Sequence, residues 1–234
     1  MPLHKTISID TSSQILIWKI TESLEELLSE VQLNEKSILR LRGMKSELHQ
    51  RAFLSVRLLL SVAGFSDFDL YYDENGKPHL RQDKCHTQPL EVSISHSHQF
   101  STIILSSKKV GIDIELQRDK IIKIAAKFCE SEFNFLDSND TVEYIKKLTM
   151  IWGAKESIFK IVNKEGISFK NHIQIQKFEI GDKMTTATLE LDNFYQQFFI
   201  YFEEIDSISE SLSVELAQNF TLVYAFENNS KLIG

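Results

Sequence analysis

The chain opens on two short alternating segments, KTISID and ILIWKI, and then changes period. The leucine-periodic, glutamate-rich stretch TESLEELLSEVQL predicts a helix behind the capping signal Thr21-Glu22-Ser23. From Lys45 to Val62 apolar residues recur at helical spacing, with Arg51 and Arg57 on the same segment and Gly64 as its stop. Asn75-Gly76 reads as a turn, and Pro78 limits regular structure just after it. LEVSISHS, FSTIILSS and VGIDIEL follow as strand-like runs with short separators, which predicts a meander of adjacent strands. After Gln117 a helical period returns in KIIKIAAKFC and breaks at Asp137-Ser138-Asn139-Asp140. It resumes as a long helix to about Val162, where Asp140 and Glu143 have capping-box spacing. The C-terminal third alternates again in HIQIQKFEI, TTATLEL, QQFFIYFEEI and FTLVYAF.

Each half thus runs from helix to strands. The order predicts an α+β protein of two similar α/β subdomains, 1–108 and 109–234, side by side. Composition adds exclusions. A chain of 234 residues with a net charge of -7 lacks the extended basic surface that displaces phosphate counterions, so no nucleic-acid partner is expected. Cys85 and Cys129 share no CxxC spacing and indicate neither a disulfide framework nor a zinc site. The start MPLHKTISID lacks the features of a signal peptide and no apolar run approaches the length of a membrane helix, so the expectation is a cytoplasmic protein with no membrane partner.

Three clusters carry candidate chemistry. In VGIDIEL, alternation puts Val110, Ile112, Ile114 and Leu116 on one face and Gly111, Asp113 and Glu115 on the other. Asp113 and Glu115 are then about 7 Å apart, close enough to approach one hard cation. A solvated strand face fits the same pattern. In IWGAKESIFK, Trp152, Glu156 and Lys160 form one helical stripe with Lys155 about 100° to the side. Glu156 and Lys160 also fit an ordinary surface pair four apart. Taken with Asp113 and Glu115, the cluster supplies a third carboxylate and two ammonium groups, a kit for a Mg²⁺-bound polyphosphate. In SISHS, His96 stands at a strand end where the backbone can turn toward a ligand, although a structural histidine is as compatible with that place.

Taken in order, GKP at 76–78, SISHS at 93–97, GIDIE at 111–115, FCESE at 128–132 and WGAKESIFK at 152–160 resemble the 4′-phosphopantetheinyl transferase superfamily, in its longer single-chain, surfactin-synthetase-activator type. The resemblance covers roughly Lys45 to Lys170. It implies a pseudo-duplicated fold with the active site between the subdomains, and a holo-[acyl-carrier-protein] synthase activity. Such an enzyme moves the phosphopantetheine arm of coenzyme A to a serine of an apo acyl or peptidyl carrier protein, releasing adenosine 3′,5′-bisphosphate. A coenzyme A-binding protein without transfer activity is the alternative.

By the same resemblance Asp113, Glu115 and Glu156 match magnesium ligands, and Glu156 is also a candidate base. Lys155 and Lys160 match lysines near the phosphates, and Glu132 a supporting carboxylate of the catalytic group. Lys77, Ser95 and His96 match nucleotide-contacting positions, and Arg51 is the choice for the 3′-phosphate. The middle motif departs from the usual aromatic pair and small hydroxyl residue, reading Lys127-Phe128-Cys129. Carrier proteins of this class tend to be acidic, so Arg118, Lys120, Lys123 and Lys127 form a candidate docking series, or else a solvated lysine face. Two tandem halves in one chain suit a monomer.

Overall fold

The computed structural model describes residues 3–81, 89–206 and 219–228; Cys85 lies outside the described residues. The fold is α+β and divides into two compact units, Met1–Lys109 and Val110–Gly234.

In the first unit β1 (Leu3–Asp10) and β2 (Ser13–Lys19) pair as a hairpin. α1 (Leu24–Glu30) starts with a reciprocal cap. Ser23 Oγ accepts from the Glu26 amide at 3.2 Å, and the Glu26 carboxylate accepts from the Ser23 amide at 2.7 Å. The helix expected over residues 21–33 ends at Glu30, and a second one that the sequence reading did not predict follows it. Val31 is extended, and Asn34 Oδ1 caps a second helix, α2 (Glu35–Gly43), by accepting from the Ser37 amide at 3.0 Å. α3 (Glu47–Val62) buries Leu54, Val56, Leu59 and Leu60 in a core shared with Leu16, Trp18, Ile103 and Leu105. Burying one such leucine contributes about 1.5–3 kcal/mol.

Arg57 is part of that interior. Its Nε donates to Asp67 Oδ1 at 3.0 Å, and its guanidinium lies 3.5 Å from the Phe53 ring centroid. β3 (Leu70–Tyr72) and β4 (Pro78–Leu80) form a small hairpin, which Pro78 opens rather than prevents, since a first strand position tolerates the missing N–H. β5 (Glu91–Ser97) and β6 (Phe100–Ser106) complete a sheet of order β1-β2-β6-β5.

The expected meander stops there. β7 (Val110–Leu116) does not pair with β6, whose two edges are already taken by β2 and β5, and instead opens the sheet of the second unit. KIIKIAAKFC yields only α4 (Lys120–Ile124) and a 3-10 turn at Ala125–Lys127, with another at Ser131–Phe135. α5 (Thr141–Val162) is the long helix expected, with Asp140 Oδ1 accepting from the Glu143 amide at 3.0 Å. It ends at Asn163, whose φ of 46° is the left-handed cap that asparagine tolerates.

α6 (Phe169–His172), β8 (Ile173–Ile175), β9 (Met184–Leu191), β10 (Phe194–Asp206) and β11 (Asn219–Glu227) complete the unit as an antiparallel sheet of order β7-β11-β10-β9-β8. Its core joins Leu148, Ile151, Ala154 and Ile158 of α5 to Leu189, Ile200, Phe202, Val223 and Ala225 of the sheet.

Candidate active site

The site begins with how closely α5 approaches β7. Gly111 pairs with Ala225, and Asp113 pairs with Val223, so the Gly111, Asp113 and Glu115 side of β7 is the side covered by the helix. A Cβ on Gly111 would collide with the Ser157 carbonyl oxygen and stand 2.8 Å from its carbon. Backbone therefore lies on backbone, which only glycine permits. Gly153 does the same from the helix: a Cβ there would stand 2.8 Å from Val223 Cγ2 and 3.5 Å from Asp113 Oδ2. The two glycines bring the helix down onto the strand carrying the carboxylates. Sequence reading passed over both, although Gly111 stands two before Asp113 on one strand face and Gly153 three before Glu156 on one helix face.

Asp113 is 4% exposed, so of the two readings its strand face allowed, the solvated one does not hold for it. Its Oδ1 accepts from Lys160 Nζ at 2.9 Å, and the same ammonium donates to the Ile112 carbonyl at 2.8 Å. Glu156, one turn before Lys160, joins them. Burial raises its pKa above the ordinary glutamate range, the Asp113 charge adds to this, and the Lys160 ammonium pulls the other way. Two carboxylates and one ammonium thus converge from a strand and a helix. Among the described residues no three His, Cys, Asp or Glu side chains gather as a ready cation cluster. Glu115 instead lines a cleft of about 200 Å³ with Arg118, Lys120, Thr149 and Trp152. Trp152 meets Phe128 edge-on at 5.2 Å between centroids.

Lys155 lies elsewhere. It is 0% exposed, and its Nζ contacts Glu132 Oε1 at 2.7 Å, the Phe128 carbonyl at 2.6 Å and the Phe169 carbonyl at 2.9 Å. Burial lowers its pKa, with the Glu132 carboxylate opposing. Glu132, 1% exposed, also accepts from the Ile175 and Glu130 amides at 3.0 and 3.1 Å. Beside them, burial and the Glu132 charge push the Cys129 thiol up to about 12, against the pull of Lys155. That thiol is a packed side chain, not a nucleophile.

The remaining candidates belong to the first unit. Arg51 Nη2 reaches the Ile20 carbonyl at 3.5 Å, and its buried Nε has no hydrogen-bond partner among the described residues. Lys77 Nζ is 3.6 Å from Glu91 Oε2. Ser95 is buried while His96 is exposed, its ring centroid 6.1 Å from that of His49. Alternation therefore points the two toward opposite faces of β5.

Residues 109–222 match the family model described as the 4′-phosphopantetheinyl transferase superfamily. The stretch runs from just before β7 into β11, and so contains Asp113, Glu115, Glu132, Lys155, Glu156 and Lys160 but none of the first-unit candidates. Over 152 residues the chain is 28% identical to the 4′-phosphopantetheinyl transferase gsp of Aneurinibacillus migulanus. That alignment covers 64% of this chain and 60% of the relative, so it spans about three-fifths of the relative's length.

Proposed function

We propose a phosphopantetheinyl transfer function for this chain, whose residues 109–222 match the model of the 4′-phosphopantetheinyl transferase superfamily. The substrates are coenzyme A and an apo carrier protein. A serine hydroxyl of the carrier attacks the phosphorus that bears the pantetheine arm, the bond to the other phosphate breaks, and adenosine 3′,5′-bisphosphate leaves. The observation that supports this most is the convergence of Asp113, Glu156 and Lys160 inside the family-matched segment.

The donor set suits a hard divalent cation. Burial first and the Asp113 charge second disfavour the ionised form of Glu156, a cost that a divalent cation would offset, and Mg²⁺ is satisfied by one or two carboxylates with substrate phosphate and water. Asp113 and Glu156 would hold it, with Glu115 as the third carboxylate of the expected set. Bound there, Mg²⁺ would supply charge neutralisation to the pyrophosphate. Lys160, held by Asp113 yet partly exposed, stands where it can donate to a phosphate oxygen as negative charge builds. Glu156 has a second capacity: a carboxylate raised toward neutrality is a better acceptor for the serine proton. Ligation and base duty compete for it, and ligation ranks first.

For the carrier, Lys120, Lys123 and Lys127 are all exposed on α4 and the turn after it, beside the cleft that Glu115 lines. An acidic carrier would find there the local positive charge that the whole chain lacks. In the first unit, Arg51, Lys77, Ser95 and His96 are the groups for the nucleotide end. The same reading has a cytoplasmic monomer of the holo-[acyl-carrier-protein] synthase type.

Incubation with coenzyme A, Mg²⁺ and an apo carrier tests the proposal. A phosphopantetheine mass gain on the carrier supports it; an unmodified carrier, with coenzyme A still bound by the protein, points to a binding protein without transfer.

A further inference from the structure

We infer that Lys155 and Glu132 are positioning residues, a buried pair that sets the rotation of α5 and so carries Glu156 to Asp113. The inference rests on the transfer reading above, but its geometry does not. An ammonium has three N–H donors, and the three acceptors at Lys155 Nζ, namely Glu132 Oε1, the Phe128 carbonyl and the Phe169 carbonyl, use all of them. With the side chain 0% exposed, no donor is left for a phosphate and no path leads one in.

The pair reaches far through the second unit. Through Phe128 it holds the turn after α4, through Phe169 the start of α6, and through the two amides accepted by Glu132 it holds β8 and the turn at Glu130. Successive helical positions differ by about 100°. Fixing Lys155 on one side of α5 therefore fixes the direction of Glu156, the next residue, whose charge meets Asp113 on another side. Gly153 and Ser157 set how close the helix lies to the strand; the buried pair sets how it is turned.

The test is a double-mutant cycle on the full chain with K155Q, E132Q and the double variant K155Q/E132Q, read by thermal midpoint and by steady-state transfer. Each single variant strands one buried charge. Each should lower the midpoint and cut kcat by about tenfold or more, with the KM for coenzyme A changed less than about threefold; the double variant, a neutral amide pair, should recover at least about tenfold over K155Q, the scale of coupling expected between contacting groups. A K155Q protein as stable as wild type but with its KM for coenzyme A raised about tenfold would overturn the inference. So would a stable double variant as inactive as K155Q, because a lost phosphate contact is not restored by changing Glu132. If the wild-type chain transfers nothing, the transfer reading fails separately. The midpoints then decide the pair: non-additive values uphold it, and additive values overturn it.

Discussion

At the scale of single residues, Glu156 is where function and stability pull apart. Its folded pKa is raised, by burial first and by Asp113 second, so the folded state disfavours its ionised form. The linkage sign follows. Below the ordinary glutamate pKa the group is protonated in both states and costs nothing. As pH rises through the raised folded value, the cost of ionisation comes in fully and stability falls. In the presence of a chelator, Glu156→Gln should therefore gain on the order of 1 kcal/mol at neutral pH, a rise of roughly 2–4 °C in thermal midpoint for a chain of this size. Mg²⁺ should raise the midpoint of the wild type and leave that of Glu156→Gln almost unmoved, as mass action on a folded-state ligand requires. A Mg²⁺-independent wild-type midpoint would remove the cation from the account. At limiting Mg²⁺ the acid limb of kcat/KM should lie above the ordinary glutamate range, because both duties need the carboxylate, and if Glu156 is a ligand saturating Mg²⁺ should move that limb down as the cation displaces the proton.

Much of this residue chemistry was legible in the sequence, because D-x-E on a strand and K-E-x-x-x-K on a helix fix faces by period alone. What alternation does not disclose is which face a neighbour covers. Asp113 was as compatible with open solvent as with a site, and only the helix lying over it decides. Lys155 shows the converse. Its place in the motif says nothing of where an ammonium on a long stem ends up, and here it ends on carbonyls of residues 27 and 14 positions away in the chain.

At the scale of elements, the contact of α5 with β7 is a joint of two glycines with unequal tolerance. A methyl on Gly111 meets backbone, which has nowhere to go, whereas a methyl on Gly153 meets the end of the Val223 side chain. Gly111→Ala should therefore cost well over 3 kcal/mol or prevent folding. Gly153→Ala should cost about 1–3 kcal/mol from overpacking, partly offset by about 1 kcal/mol of helix propensity, and should be partly rescued by Val223→Ala. Thermal denaturation of the three variants checks the ranking, and equal tolerance at the two positions would contradict the joint. Helix and strand periods were readable for most elements. Sheet partners were not, since β7 follows β6 closely in sequence yet pairs with β11, a partner that hydrogen-bonding edges select and local pattern does not record.

At the scale of the molecule, a chain carrying a net charge of -7 is proposed to bind an acidic carrier, which makes local charge decisive. Charge reversal at Lys120 and Lys123 should raise the KM for carrier severalfold and leave that for coenzyme A nearly unchanged, and the effect should shrink with salt as exposed charges are screened. Equal effects on both substrates would mean that α4 is only a solvated face. The α+β class was legible from the alternation of periods along the whole chain, and residues 109–222 match the model of the 4′-phosphopantetheinyl transferase superfamily.

The measurement that bears most directly on the central claim is the intact mass of an apo carrier protein after incubation with coenzyme A and Mg²⁺, with wild type and Glu156→Gln side by side. The account predicts complete addition of phosphopantetheine by the wild type and none by a folded Glu156→Gln. Near-normal addition by that variant, or none by either protein, would contradict it.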